Sequence, residues 1–298
     1  MNFKIEKYID KKRSVVDKRL EKYFRVQNKN QSVLNESIRY SLLAKGKRLR
    51  PILCLASCET FNGNLTQAMP VACAIEMIHT YSLIHDDLPS MDNDSLRRGV
   101  PTNHKVYGES TAILAGDALL TDSFNLIVKE SIKKKLSTDV VCELVSLLSK
   151  ACGSEGMVEG QLLDLETDKK KNVSISDLKS LHLLKTGALI SASTVAGAIV
   201  TGAKKEEVKN LKKFSDAIGL AFQIKDDLID DTGAGKTGKS GGSDKKNKKS
   251  TYLTVLGREK SMSLIEDLTK KANHSLDKID RDTTILRSLA DYLGKRKS

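Results

Sequence analysis

Apolar residues recur at helical spacing along almost the whole chain. Phe3, Ile9, Val16, Leu20 and Phe24 punctuate a charged stretch at 3–25, the pattern of an amphipathic helix. A second period covers 31–44 and stops at Lys45-Gly46, where the glycine suits a C-terminal cap. Pro51, tolerated in a first turn, opens a helix through ILCLASCETF, and a fourth helix is predicted over 67–87. Further periods cover 110–133, 138–152, 155–168, 176–201, 206–231 and 259–293, the last expected to break. No stretch sustains the alternation of a strand pair bounded by hairpin turns, and no internal repeat of solenoid length is visible. The pattern predicts an all-α, single-domain helical bundle spanning 1–298. Residues 233–250, GAGKTGKSGGSDKKNKKS, lack apolar anchors and read as a loop that stays mobile until a ligand orders it.

Composition narrows the class. The chain has 298 residues, 39% of them hydrophobic, enough for a sizeable core. No apolar run reaches the roughly 18–20 residues of a bilayer span without polar interruption. The stretch Thr186 to Ala203, rich in Gly, Ser, Thr and Ala, reads as a closely packed internal or interface helix. The N-terminus, MNFKIEKYIDKKRS, lacks an apolar signal core, so a cytoplasmic location is expected. Five cysteines without a CxxC pair fit reduced, buried thiols, and Cys54 and Cys58, one helical turn apart, suit packing better than metal. Net charge is +12, with lysine-rich runs at 133–135, 169–171 and 245–249. Such a surplus suits phosphorylated partners as well as nucleic acid, but aromatics are only 4% and no nucleic-acid motif appears. A nucleic-acid role is not expected.

Two acidic helix ends carry the candidate chemistry. In EMIHTYSLIHDDLPSMDNDSLRRG (76–99), His79, Ser82 and Asp86 share one helical stripe, and Asp87, Asp92 and Asp94 follow. Pro89 ends the helix there, placing carboxylates where the macrodipole disfavours them. About 140 residues later, Asp226-Asp227-Leu228-Ile229-Asp230 ends a second helix. Its apolar stripe is Leu211, Phe214, Ile218 and Phe222, continued by Asp226 and Ile229; Gln223, Asp227 and Asp230 share the adjoining face. Oxygen-only ligands without His or Cys nearby favour a hard divalent cation such as Mg²⁺ bridging carboxylates to phosphates. Basic residues complete the set: Lys47 and Arg50 in AKGKRLRP, Arg97-Arg98, Lys185-Thr186, and Lys239 and Lys249 flanking the loop. Arginine offers phosphate a planar donor fork and lysine a compact charge.

The ordered motifs GKRLRP, EMIHTYSLIHDDLPSMDNDSLRRG, GDALL, KTGAL, FQIKDDLID and KSTY resemble those of the short-chain trans-prenyltransferases, and among them the bacterial farnesyl diphosphate synthases. The resemblance runs from about residue 35 to 256. It implies an isoprenoid-synthase bundle whose two aspartate motifs face each other across a central cavity and hold three Mg²⁺ on an allylic diphosphate. Asp86 and Asp92 match direct ligands supported by Asp87, and Asp226, with Asp227 and Asp230, matches the second motif. Arg97, Lys185, Lys239 and Lys249 match positions that grip the allylic diphosphate. Gly46, Lys47, Arg50, His79 and Arg98 match the isopentenyl diphosphate site. Thr186 and Gln223 match residues whose oxygens face the developing carbocation. A homodimer is implied, with dimethylallyl or geranyl diphosphate as the allylic partner.

Tyr81 and Ser82, five and four residues before Asp86, match positions that set chain length. An aromatic there, with the Pro89-Ser90 extension, accompanies a fifteen-carbon product in similar enzymes. Glu159 in MVEGQLLDL replaces a residue that is usually small. Competing readings are a geranylgeranyl diphosphate synthase, a terpene cyclase and a non-catalytic regulatory subunit. The second aspartate motif and GKRLRP argue against the cyclase, and two intact motifs argue against the silent subunit.

Overall fold

A computed structural model of the chain describes residues 4–25, 32–167, 170, 172–231 and 250–296. In chain order the helices are α1 (Ile5–Tyr23), α2 (Val33–Leu42), α3 (Leu49–Thr60), α4 (Leu65–Asp86), α5 (Asn103–Tyr107), α6 (Glu109–Lys133) and α7 (Thr138–Cys152). They continue with α8 (Met157–Thr167), α9 (Ile175–His182), α10 (Ala188–Val200), α11 (Lys205–Asp231), α12 (Tyr252–Leu256), α13 (Arg258–Leu276) and α14 (Thr284–Lys295). Side chains of Ser32, Asn64, Ser137 and Ser174 start α2, α4, α7 and α9 by accepting a first-turn backbone N–H. The all-α expectation holds, with one exception between α4 and α5. There Leu96–Arg97 (β1) and Val100–Pro101 (β2) form a minimal antiparallel hairpin.

Other differences from the sequence reading are local and have physical causes. The period at 176–201 is three pieces, because a π turn at Leu183–Gly187 joins α9 to α10. The 259–293 period breaks, as expected, between Leu276 and Thr284. Gly46 does not cap α2, whose C-cap is Leu43. A Cβ there would lie 2.7 Å from Nη1 of Arg98, so that guanidinium would have to shift. The loop expected at 233–250, with Lys239 and Lys249, lies outside the described residues apart from Ser250.

Two helices are buried along nearly their whole length, and they organise the rest. Every residue of α10 after Ala188 is buried, as is almost all of α4 from Ala68 to Ile84. Such helices lie inside a bundle. α10 packs on α3, α4, α7 and α11, while α4 packs on α3 and α6. One core joins α4 to α2, α6, α7 and α10; a second lies between α3, α11, α13 and α14. Two stretches, Glu109–Lys133 and Ile175–Val200, are long and apolar enough by composition to cross a membrane. In the second, 78% of the apolar window is already buried in the protein, whereas the figure for α6 is 33%.

Phe214 of α11 is fully buried in the second core, which also draws residues from α3, α10, α13 and α14. Phe214→Ala is expected to remove about 3–5 kcal/mol of stability. In urea denaturation the midpoint should fall with the slope unchanged; a shift within error of zero would show that α11 is not anchored there.

Candidate active site

The C-terminal ends of α4 and α11 carry the acidic residues, and a connected run of cations bridges them. After Asp86 the chain turns through Leu88-Pro89-Ser90, and the Asp92 N–H donates to the Asp86 carbonyl at 2.9 Å. This brings Asp92 back beside Asp86, both half-buried. Asp87 is buried and grips Arg97, whose Nε donates to both carboxylate oxygens at 2.8 and 3.1 Å. Burial works against the Arg97 cation, but the Asp87 hydrogen bond and charge outweigh it and raise its pKa. The two-residue β turn makes this possible: Arg98 and Gly99 both have positive φ, 54° and 83°, as a tight hairpin of this twist requires.

Arg98 lies over Gly46 and leads to Lys47, Arg50 and His79. Arg50 Nη1 donates to His79 Nε2 at 3.3 Å, which requires a neutral imidazole with Nε2 accepting. Burial first, then Arg50, Arg98 and Arg97, hold His79 well below its ordinary pKa. Burial also lowers Arg50 to about 10, so it stays charged near neutral pH, and its buried Nε has no partner. Burial lowers Arg98 in the same direction, and partial desolvation with the nearby Arg296 charge lowers the more exposed Lys47. Several cations are thus held partly desolvated, with donor capacity left over. An incoming polyanion relieves that situation.

At the far end, Asp226 accepts a hydrogen bond from Arg296 Nη2 at 2.5 Å. Its charged neighbours also include Lys47 and Arg50. Burial nevertheless dominates and raises the Asp226 pKa, so further positive charge would stabilise its ionised form. Asp227 is buried and positions its neighbours: it accepts from Gln223 Nε2 at 3.3 Å and from the Tyr252 N–H at 3.1 Å. Gln223 Oε1 in turn accepts from Thr186 Oγ1 at 3.0 Å. Asp230 is half-buried on the last turn of α11. Lys185, on the π turn, pairs with Asp164 of α8 at 2.5 Å. Gly160 allows this approach, since a Cβ would lie 2.1 Å from the Lys185 nitrogen. Glu159, one residue earlier, is half-buried.

The charges therefore run from Asp226 through Lys47, Arg50, Arg98 and Arg97 to Asp87 and Asp86, with the neutral His79 between the arginines. Among the described residues, no three His, Cys, Asp or Glu side chains form a metal cage by themselves. Mg²⁺ typically takes one or two carboxylates and completes its shell with water and substrate phosphate. The oxygen-only donors and the under-neutralised Asp226 fit such an ion. Tyr81 is buried, edge-on to His85 with ring centroids 5.8 Å apart, and its hydroxyl has no partner. Ser82 turns back to donate to the His79 carbonyl at 2.9 Å. Arg48, Glu76, Asp164 and Arg296 were not expected at the site. Asp164 had a visible signal, a carboxylate in the run carrying Gln161, but its partner Lys185 comes from a distant segment.

His79 gives a pH dependence with a definite sign. Folded, it stays neutral below the ordinary histidine pKa of about 6.5, while the unfolded chain takes up the proton there. Stability is therefore present above about pH 6.5 and is lost as pH falls below it. Comparing urea midpoints at about pH 7.5 and about pH 5.5, His79→Gln should lose less stability than the parent. His182, lowered to about 4 by burial, keeps part of the slope in both proteins. Equal losses would contradict a neutral, acceptor His79.

The chain matches the polyprenyl synthetase family over residues 31–286. A geranylgeranyl diphosphate synthase of Cyanophora paradoxa is 42% identical over 298 residues, covering 100% of this chain and 98% of the relative. A farnesyl diphosphate synthase of Bacillus subtilis (strain 168) is 41% identical over 297 residues, 99% of each protein. The crystal structure of an FPP/GFPP synthase from Zymomonas mobilis aligns with a TM-score of 0.85 at 38% identity, covering 97% of this chain and 98% of that one. With its helical fold and paired acidic helix ends, the chain belongs to the polyprenyl synthetase family and is a short-chain trans-prenyltransferase.

Proposed function

We propose that the enzyme adds isopentenyl diphosphate to dimethylallyl and then geranyl diphosphate, and stops at the fifteen-carbon farnesyl diphosphate. The observation carrying the prenyl-transfer chemistry is the run of cations between Asp226 and Asp86. It suits two diphosphates held side by side, one leaving and one staying.

In this reading Asp86, Asp92, Asp226 and Asp230 hold Mg²⁺, three ions by family resemblance, while Asp87 and Asp227 orient their neighbours. Bound Mg²⁺ would draw off charge as the allylic diphosphate departs. Arg97 and Lys185, together with Lys239 and Lys249, bind that diphosphate and stabilise the charge developing on it. Gly46, Lys47, Arg50, His79 and Arg98 hold isopentenyl diphosphate with its double bond toward the allylic carbon. The allylic C–O bond breaks, the new C–C bond forms, and the resulting cation loses a proton to the departing diphosphate. The oxygens of Thr186 and Gln223 stabilise the positive charge in transit, and the buried helices exclude water from it.

One catalytic domain fits this chemistry, and we propose a homodimer. The support is α6, which exposes Ile113, Leu114, Val128 and Ile132. Rows of this kind mark protein interfaces more often than open surface. No nucleic acid takes part, and the enzyme works in the cytoplasm.

Tyr81 supports the fifteen-carbon limit, because a buried ring one turn before Asp86 fills volume that a further isoprene unit requires. The rival, a geranylgeranyl product, is favoured by the name of the Cyanophora relative. Mass spectrometry of products from isopentenyl and dimethylallyl diphosphates separates the two. The parent should give farnesyl diphosphate, and Tyr81→Ala should move product toward geranylgeranyl diphosphate by about ten- to hundredfold. A twenty-carbon product from the parent would sink the chain-length reading and leave prenyl transfer standing.

A further inference from the structure

Arg48 sits between two residues of the proposed isopentenyl diphosphate site and points the opposite way. Lys47 is exposed, whereas Arg48 is 3% exposed. The reversal comes from the backbone. Arg48 is the N-cap of α3 and has φ 51° and ψ 33°, a left-handed conformation uncommon outside glycine. Held this way, its guanidinium enters the protein and makes four hydrogen bonds. Nε donates to Asp17 of α1 at 2.8 Å and Nη1 to Glu76 of α4 at 2.7 Å. Nη2 donates to the carbonyls of Leu42 at 2.9 Å and Ala44 at 2.8 Å, at the end of α2. One side chain thereby joins α1, α2 and α4 to the start of α3.

Glu76 is the deepest member, 1% exposed, with Oε2 unpartnered. It lies on α4 one turn before His79. The Arg48–Glu76 pair therefore connects the segment carrying Lys47 and Arg50 to the helix carrying their neighbour His79. A buried ion pair adds little net stability over apolar residues of similar size, because desolvation offsets the attraction. A left-handed arginine that is buried and saturated with partners calls for another explanation, and position supplies it.

We infer that Arg48, braced by Glu76 and Asp17, is a positioning residue that sets Lys47 and Arg50 against His79 for the isopentenyl diphosphate. It does not touch substrate. The allylic side is positioned by other pairs, Arg97 with Asp87 and Lys185 with Asp164. The brace therefore acts on one substrate of two. The inference rests on the assignment of Lys47, Arg50 and His79 made above.

The test is steady-state kinetics with each substrate varied in turn, on Glu76→Gln, Arg48→Lys and the double variant Arg48→Met with Glu76→Leu. Lys47→Ala serves as the reference. Glu76→Gln keeps the shape and removes the charge, so it decides the matter even if the double variant fails to fold. Arg48→Lys keeps the charge but loses the planar fork needed for four acceptors. Each folded variant should raise the KM for isopentenyl diphosphate about ten- to hundredfold, with the KM for geranyl diphosphate within about twofold of the parent. Equal losses on both substrates, or an unchanged isopentenyl KM in Glu76→Gln, would overturn the brace. If Lys47→Ala also leaves the isopentenyl KM unchanged, the site assignment itself fails, and the brace with it.

Discussion

The contact between Arg50 and His79 lies at the centre of a chain of charges on which the site depends. A guanidinium donating to an imidazole keeps that ring neutral, and both groups are half-buried. On either side stand further cations, and beyond them the carboxylates of Asp226 and of Asp86 and Asp87. Like charges confined this closely repel, so the folded protein tolerates them only with acidic residues at the ends and capacity for anions between. The proposed binding of two diphosphates, with negative charge developing on one of them, would need that imbalance.

Helix packing holds the imbalance in place. α4 and α10 are buried along nearly their whole length, so their ends are fixed by the cores they occupy. α4 ends at the first acidic group, and α10 begins just after the π turn carrying Lys185 and Thr186. Single-turn π segments often mark functional sites. Here the segment sets Lys185 beside Asp164 and Thr186 beside Gln223. The small residues follow from the same geometry. Gly46 and Gly160 leave room for Arg98 and for the Lys185 backbone, and side chains there would displace both cations.

Much of this is readable in the sequence because helical period and acidic motifs are local signals. The ends of α4 and α11, and the cations Lys47, Arg50, Arg97, Arg98 and Lys185, stand out by type and spacing. The hairpin at 96–101 was missed because Arg98-Gly99 lacks the Asn or Asp that usually marks such a turn. Arg48 reads as one more basic residue of GKRLRP, and only its left-handed backbone reveals that it turns inward. Arg296 reaches Asp226 across 70 residues of chain, a pairing that tertiary packing alone creates. Gly46 reads as a helix cap from its place after a helical period, but it serves as clearance for a side chain 52 residues away. The common cause is that clearance and pairing between distant segments leave no periodic trace.

The central claim is that two acidic helix ends and the cations between them form one diphosphate site that requires divalent metal. Calorimetric titration of inorganic diphosphate tests it most directly, with and without Mg²⁺, on the parent, Asp86→Asn and Asp226→Asn. The account predicts binding that strengthens at least about tenfold with Mg²⁺, roughly 1.4 kcal/mol, and loses that gain in each variant. Binding of equal strength without Mg²⁺, or in both variants, would contradict it.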